Sequence, residues 1–330
     1  MVRKSIWAQS LFFSTAALLV ISTAALVLFI GGNGLQVFRY ISPATFFLAP
    51  TWDQNTDTFG ILPLLYGSIM TTLITLIISA PLAIAVAFFM VEVASPPVRR
   101  VLRSTVELFA SLPSVIYGFL GLIIVVPWVR EALHVGLGKG ILAASIVLIF
   151  MVQPTIVSIA EDAIRSLPES LREGALAVGA TRWQMIWRVL LPAARSGIIT
   201  AVILGIGRAI GETMAVQMVI GNITSRIPAN LGTGATTMPA AIVTQYPETT
   251  SAAHRSALIM VAFMLLLITF ALITIVRIAT NRQPGAPSAS RKARQHIAAP
   301  IQQQGLTEGA NPQNLHDDES AAFDQMRSGA

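Results

Sequence analysis

An arginine and a glutamate lie inside an otherwise apolar segment of this chain, Gly205-Ile-Gly-Arg208-Ala-Ile-Gly-Glu212-Thr213. On insertion scales a charged side chain at the centre of a membrane helix costs at least about 2.5 kcal/mol, so both side chains should face protein or a wet cavity. In one continuous helix, their four-residue spacing puts Arg208 and Glu212 on the same face. The guanidinium could then bind a tetrahedral oxyanion through its paired donors, while the carboxylate tunes the affinity and allows release.

The same residues admit a structural interpretation, in which Arg208 and Glu212 satisfy each other and hold the helix in register. Thr213 adds a hydroxyl that serves either helix packing or a substrate path. We take Arg208, Glu212 and Thr213 as the candidate substrate-path residues. No residue is taken as catalytic, because no nucleophile motif accompanies the pair.

The sequence offers little for metal or cofactor chemistry. Asp53 and Asp57 are close in sequence and His134 and His254 are isolated, so neither pair has the further ligands that calcium or zinc requires. The chain has no cysteine, which excludes thiolate ligands. We predict no metal site and no cofactor.

The chain also lacks a nucleotide-binding motif. Gly136-Leu-Gly-Lys139-Gly140 superficially resembles a phosphate-binding loop, but it does not have the Gly-x-x-x-x-Gly-Lys-Ser/Thr spacing. The sequence therefore predicts a protein that is not itself an enzyme, and any energy from ATP must come through a separate subunit.

Membrane helices must position these residues. Of the 330 residues 54% are hydrophobic and 12% charged, which is too apolar for a soluble surface. A hydrocarbon core about 30 Å thick needs roughly 20 helical residues, and six apolar blocks approach or exceed that length. They are Leu11–Ile30, Leu64–Val91, Thr105–Val126, Ile141–Ala160, Ser196–Ile220 and Ser256–Ala279. The first is longer than the apolar core of a signal peptide, so we predict an uncleaved, all-α polytopic membrane protein with six spans.

The distribution of basic residues predicts the orientation. Of the 22 lysines and arginines, 16 fall on the side of the two termini and 5 on the other side, while Arg208 lies within a span. Because basic residues concentrate in short cytoplasmic loops, both termini should be cytoplasmic. These residues form no single stripe with interleaved aromatic residues, so the net charge of +6 indicates contact with membrane lipid rather than with nucleic acid.

Composition divides the chain into three parts. Residues 1–10 form a cytoplasmic N-terminus, residues 11–280 carry the spans, and residues 281–330 are rich in Pro, Gly, Ala, Ser, Gln and charge. The last composition cannot bury enough apolar surface to offset the entropy of ordering, so we predict a disordered cytoplasmic tail.

The loop at residues 161–195, between spans four and five, has helix-forming composition. Ser166 and Glu169 fit a capping box, and a helix from Glu169 should break at Gly179 and restart near Thr181. Within it, three apolar residues recur at helical spacing and predict a narrow face that a partner could cover. They are Leu171, Ala175 and Val178.

This loop resembles the EAA loop of permease subunits in ABC importers. The resemblance is carried by Glu173-Gly174-Ala175, then Gly179, then Leu191-Pro192, and it departs from the family at Gly174, where Ala is usual. In that family the short helix docks on a cytoplasmic ATPase. The resemblance implies that residues 169–180 couple to an ATPase through Glu173, Gly174, Ala175 and Gly179. It also implies the six-helix fold of a type I importer permease over residues 11–280, with the core homology of that family over residues 64–280.

Two further stretches resemble the phosphate-specific permeases of the PstC type. They are Gly207-Arg-Ala-Ile-Gly-Glu-Thr-Met-Ala-Val216, followed by Gly221-Asn222, and Ser111-Leu-Pro-Ser-Val-Ile-Tyr-Gly118. The likeness covers nearly all of residues 60–280. It implies phosphate import across the bacterial cytoplasmic (inner) membrane with three partners: an ATP-binding subunit of the PstB type, a second permease of the PstA type and an external binding protein of the PstS type.

Other functions remain open on the residues alone. The substrate could be phosphonate, sulfate or molybdate, because Arg208 would meet any of these oxyanions with the same donors. A secondary transporter could instead couple to protons through Glu212, and a sensor or scaffold could bind solute without moving it.

Overall fold

The computed structural model describes residues 6–54 and 56–281, and the predicted tail falls almost entirely outside these residues. The α-helices of the described residues are, in chain order, α1 Ile6–Gly34, α2 Pro43–Leu48, α3 Leu62–Phe88, α4 Pro96–Ser111, α5 Ser114–Leu120, α6 Val126–Leu133, α7 Ile141–Arg165, α8 Glu169–Ala177, α9 Arg182–Met185, α10 Leu191–Gly211, α11 Met214–Val219, α12 Met238–Gln245 and α13 Ala252–Asn281.

Several shorter elements join these helices. Turns of 3₁₀ helix at Leu35–Arg39 and Tyr246–Glu248 follow α1 and α12. Two π-helical turns connect helices without a break, Gly121–Val125 between α5 and α6 and Ile186–Leu190 between α9 and α10, and a third, Phe89–Val93, extends α3 at its C-terminal end. Strands β1 (Trp52–Asp53) and β2 (Thr58–Phe59) form an antiparallel hairpin, in which Trp52 lies opposite Phe59.

Six helical segments of the described chain are long and apolar enough to cross a membrane, which confirms the predicted number of spans. They are Ser10–Arg39, Leu62–Val93, Ser114–Leu133, Ile141–Arg165, Arg182–Gly211 and Ala252–Ile278. Apart from the small hairpin, the architecture is the all-α polytopic fold that composition predicts.

The predicted bounds of spans three and five are wrong. Span three begins at Ser114 rather than at Thr105, because Leu112 precedes a proline and takes an extended conformation that ends α4. Span five begins earlier than predicted because Thr181 caps α9, its hydroxyl accepting a hydrogen bond of 3.3 Å from the backbone N–H of Gln184. Its continuous helix ends at Gly211, and after a break at Glu212 and Thr213 the span continues as α11.

Helices α3, α7 and α10 pack against one another and form the centre of the bundle. A Cβ at Gly205 on α10 would lie 2.7 Å from the side chain of Ile156 on α7, so this crossing requires glycine. Between α3 and α7, the hydroxyl of Ser145 donates to the carbonyl oxygen of Thr71, and that of Thr75 donates to the carbonyl oxygen of Ser145, both at 3.4 Å. Close backbone packing and buried hydroxyl groups therefore stabilise the bundle, because the hydrophobic effect does not drive helices together in lipid.

The segment before α12 packs on the N-terminal part of α3. The Ser68 hydroxyl accepts a hydrogen bond of 2.8 Å from the backbone N–H of Met238, and a Cβ at Gly67 would overlap the carbonyl oxygen of Thr236. A backbone oxygen cannot rotate away as a side chain can. Residue 67 therefore has to be glycine for this segment to reach α3.

Replacing Gly67 with alanine should destabilise the fold by about 1–3 kcal/mol, the usual range for overpacking. Thermal unfolding of the purified chain in detergent would show this as a lower midpoint. Gly136→Ala is the matched control, because a Cβ there meets nothing within 4 Å. Equal midpoints for the two variants would contradict the close approach at Gly67.

Candidate functional site

The segment that carries the candidate substrate-path residues is a broken helix. Helix α10 ends at Gly211, Glu212 takes an extended conformation (φ −71°, ψ 126°), and α11 begins at Met214. The expectation that Arg208 and Glu212 share one face of a continuous helix is therefore wrong. The described residues contain no ion pair between them, so the interpretation in which they satisfy each other is wrong as well.

Each charge instead lies at one end of a half-helix. Arg208 is in the last turn of α10, and the Oε1 atom of Glu212 accepts a hydrogen bond of 3.1 Å from the backbone N–H of Ala215 in the first turn of α11. A cation near a C-terminus and an anion near an N-terminus are both favourable to the helix dipoles. Thr213 lies in the break itself, where its hydroxyl donates to the carbonyl oxygen of Gly211 at 3.3 Å.

The guanidinium of Arg208 has unmet hydrogen-bonding capacity within the described residues. The residue is partly buried, and its Nε atom is buried with no hydrogen-bond partner among the described residues. Buried polar groups in folded proteins are nearly always paired. This side chain therefore fits an anion, a water or another subunit better than it fits a closed contact within the chain.

Gln217 on α11 is a candidate that sequence reasoning missed. Its Oε1 atom is buried without a hydrogen-bond partner in the described part of the chain, and its Nε2 atom reaches only the sulfur of Met214, at 3.4 Å. The sequence does contain a signal for this residue, because Gln217 is a polar residue in an apolar run and buried amides in membrane helices require partners.

The two stretches that carry the PstC resemblance contact each other. A Cβ at Gly118 on α5 would lie 2.9 Å from the Cα atom of Ala215 and 2.8 Å from the Sδ atom of Met218, both on α11. The hydroxyl of the adjacent Tyr117 donates to the carbonyl oxygen of Phe109 at 2.6 Å. Span three thus positions the broken segment of span five.

The predicted helix in the loop between spans four and five is confirmed as α8, Glu169–Ala177. It ends in a Schellman motif, in which Gly179 N–H bonds the carbonyl oxygen of Leu176 at 2.9 Å and Ala180 N–H bonds that of Ala175 at 3.1 Å. Gly179 has φ +80°, which favours glycine. The predicted capping box is wrong, because the Ser166 hydroxyl donates to the carbonyl oxygen of Ala163 instead.

The apolar face of α8 is only partly as predicted. Leu171 and Ala175 pack on the chain's own core, and Ala175 is 7% exposed, whereas Val178 is 84% exposed. The described protein thus covers much of the face that we expected a partner to cover. The exposed side of α8 and its C-terminus carry the other three predicted coupling residues, Glu173, Gly174 and Gly179.

Alanine at Gly179 should loosen the end of α8. The left-handed conformation costs a non-glycine residue roughly 1–2 kcal/mol, so Gly179→Ala favours fraying of the last turn. Hydrogen exchange of the Ala180 amide, which bonds Ala175, should become faster. Gly174→Ala is the control, because a Cβ there meets nothing within 4 Å and alanine favours a helix. Equal exchange rates of the Ala180 amide in the two variants would contradict the role of Gly179 in ending α8.

Two of the isolated histidine and aspartate residues, His254 and Asp57, make structural contacts. His254 stacks on Phe59 with ring centroids 5.0 Å apart, and its Nε2 atom lies 3.2 Å from the Oε1 atom of Gln245. Asp57 accepts a hydrogen bond from the hydroxyl of Ser251 at 3.3 Å. No three His, Asp or Glu side chains of the described residues cluster as metal ligands.

The sequence profile of a family described as binding-protein-dependent transport system inner membrane component matches residues 80–283. The probable ABC transporter permease protein YqgH of Bacillus subtilis is 41% identical over 273 residues, which cover 81% of this chain and 88% of the relative. The phosphate transport system permease protein PstC of Xylella fastidiosa is 37% identical over 280 residues, which cover 79% and 85%.

A solved structure shares the fold. A chain of a bacterial alginate ABC transporter, crystallised with its alginate pentasaccharide-bound periplasmic protein, superposes with a TM-score of 0.60 at 17% identity, over 86% of this chain and 99% of that one. The profile match covers more than half of the chain, and the six spans are those of a membrane component. The chain therefore belongs to the family of inner membrane components of binding-protein-dependent transport systems, in which it is an ABC-type permease subunit.

Proposed function

We propose that this chain is the permease subunit through which an ATP-driven importer moves inorganic phosphate across the bacterial cytoplasmic membrane. The name of the PstC relative supports the substrate, and family membership favours ATP-driven import over proton-coupled transport. Both termini lie in the cytoplasm in this proposal, as the distribution of basic residues predicts.

One observation carries the proposal, namely the guanidinium of Arg208 within the membrane at a break in span five. Its Nε atom is buried and has no partner in the described chain, so it offers a donor to a ligand. Arginine presents a planar fork that matches two oxygens of a phosphate, and it stays charged at all physiological pH values. A tetrahedral oxyanion satisfies this group better than a neutral solute does.

Glu212 acts on the affinity from the other side of the break. Its carboxylate is held by the backbone N–H of Ala215 rather than by Arg208, so the guanidinium does not have to leave a salt bridge before it meets the anion. The negative charge nearby opposes a second negative charge, which prevents the anion from being trapped. Thr213 follows Glu212 in the break, directly before α11, and completes the candidate path.

Family membership and the name of the PstC relative support three partners. A binding protein of the PstS type delivers phosphate from outside, and a permease of the PstA type forms the second wall of the path. An ATPase of the PstB type binds the exposed side of α8 at Glu173 and Gly174 and the C-terminal end of α8 at Gly179. Buried Ala175 packs the helix against the bundle. ATP binding moves α8 and opens the path to alternate sides in turn.

Uptake of radiolabelled phosphate tests the substrate. A strain that lacks this chain should take up little phosphate, and a plasmid that encodes the chain should restore uptake. Excess unlabelled phosphate should compete, whereas phosphonate, sulfate and molybdate should not. Competition by one of these anions at concentrations where phosphate is ineffective would contradict phosphate as the substrate.

A further inference from the structure

The side chain of Arg172 on α8 reaches two membrane spans. Its Nε and Nη2 atoms lie 3.0 and 2.9 Å from the Oε1 atom of Glu92, which belongs to the π-turn at the end of span two. Its Nη2 and Nη1 atoms also donate to the carbonyl oxygens of Ile164 and Leu167, at the end of α7, both at 3.3 Å. One guanidinium therefore joins α8 to the ends of α3 and α7.

The pair between Arg172 and Glu92 is largely removed from solvent, with side chains 13% and 7% exposed. Burial lowers the pKa of Arg172, but the hydrogen bonds and charges of Glu92 and Glu169 together outweigh that effect and raise it above its ordinary value. The guanidinium thus stays charged. Its hydrogen bonds join α8 to the end of span two. Because the pair is largely buried, water screens it less than it screens an exposed ion pair.

A second arginine fixes the same turn of span two. Arg99 on α4 donates from Nε to the carbonyl oxygen of Met90 at 2.6 Å, and from Nη2 to that of Val91 at 2.7 Å. Three consecutive residues, Met90, Val91 and Glu92, are therefore bound by arginines from neighbouring helices. This end of span two is therefore joined to both α4 and α8.

We propose that Arg172 is a positioning residue that makes α8 and the ends of α3 and α7 move as one body, so that displacement of α8 reaches the bundle through Arg172 and Glu92. This inference rests on the proposed role of α8 as the coupling helix. Because α3 and α7 pack along their length and α10 packs on both, a displacement at α8 is carried toward the segment that holds Arg208. Lysine could not replace this arginine, because a single ammonium group cannot reach the same acceptors in one geometry.

The test measures whether α8 moves with span two. The chain contains no cysteine, so cysteines introduced at the exposed residues Ser95 and Ser170 can carry two spin labels. In the assembled transporter, the distance between the labels should be the same without nucleotide and with ATP trapped. In Arg172→Lys the distance distribution should broaden and shift on ATP binding. Arg182→Lys, which changes an exposed arginine of the same loop, is the matched control and should behave as wild type.

ATP hydrolysis gives a second readout that a merely structural role would not move. In Arg172→Lys and Glu92→Gln, basal hydrolysis per assembled complex should persist, while its stimulation by the binding protein and the phosphate moved per ATP are lost. If neither single variant assembles, the double variant Arg172→Met with Glu92→Met leaves no unpaired buried charge and should assemble without coupling.

A label distance in Arg172→Lys that stays the same on ATP binding, or normal stimulation in an assembled variant, would overturn the proposal. The label distance does not depend on the transported anion. If the wild-type complex imports another oxyanion, while Arg172→Lys shows the expected broadening of the label distance, only the proposed substrate is contradicted. If the labels separate on ATP binding in the wild-type complex, the rigid link between α8 and span two is contradicted. The proposed substrate is not affected by that result.

Discussion

Arg208→Ala should reduce phosphate uptake by about 100-fold or more, with the transporter still assembled. A hydrogen bond to a charged group contributes roughly 1.5–3 kcal/mol, and the alanine variant loses at least two such bonds to the anion, at about 1.4 kcal/mol per factor of ten. The structure explains why assembly should survive. Within the described residues Arg208 has no ion pair, and its buried Nε atom has no partner, so its removal leaves no other group unpaired.

Initial rates of labelled uptake, divided by the amount of complex in the membrane, measure this effect. Arg208→Lys keeps the charge but loses the planar fork, so its uptake should lie between those of the wild type and the alanine variant. Arg188→Ala, which removes an exposed arginine from the same span, is the control and should transport normally. Normal uptake in an assembled Arg208→Ala transporter would show that the anion does not meet this guanidinium.

Glu173→Lys should separate ATP hydrolysis from transport. The Glu173 carboxylate is exposed on α8, and the described structure shows no hydrogen bond or ion pair for it, so the reversal of charge should change the stability of this chain by no more than about 0.5 kcal/mol. A surface that accepts a carboxylate repels an ammonium, and like charges across an interface are costly. Loss of uptake should therefore accompany normal folding.

Co-purification of the ATPase with this chain, together with ATPase assays with and without the binding protein, would check this result. We expect weak co-purification and no stimulation in Glu173→Lys, and a milder defect in Glu173→Gln. Asp162→Lys reverses an exposed carboxylate near the end of α7, outside the proposed coupling surface, and serves as the control. Full stimulation in Glu173→Lys would contradict the placement of the ATPase on this side of α8.

Local signals in the sequence predict the spans and α8 well. A membrane span requires only a sufficient length of apolar residues, and this requirement gives the correct number of crossings. The end of α8 is predicted equally well, because Gly179 alone supplies the positive φ that a Schellman motif requires.

Contacts between distant residues explain what the sequence could not predict. The break at Glu212 is stabilised by the hydrogen bond to Ala215, and Ala215 is in turn held by close packing on Gly118 of another span. Helical periodicity contains no information on such a contact. The pair between Arg172 and Glu92 spans 80 residues of chain, and no local pattern relates the two.

The three π-turns affect how this chain should be aligned with its relatives. A π-turn holds one residue more than the regular turn that it replaces, and one residue corresponds to about 100° of rotation in an α-helix. Deletion of a single residue from Gly121–Val125 would restore regular geometry and leave the flanking halves of that span facing the same way, because the π-turn accommodates the extra residue that would otherwise rotate one half. A single-residue gap at one of these positions in an alignment therefore marks a π-turn that the relative lacks. Residues beyond such a gap should be matched by the direction they face rather than by their distance along the chain.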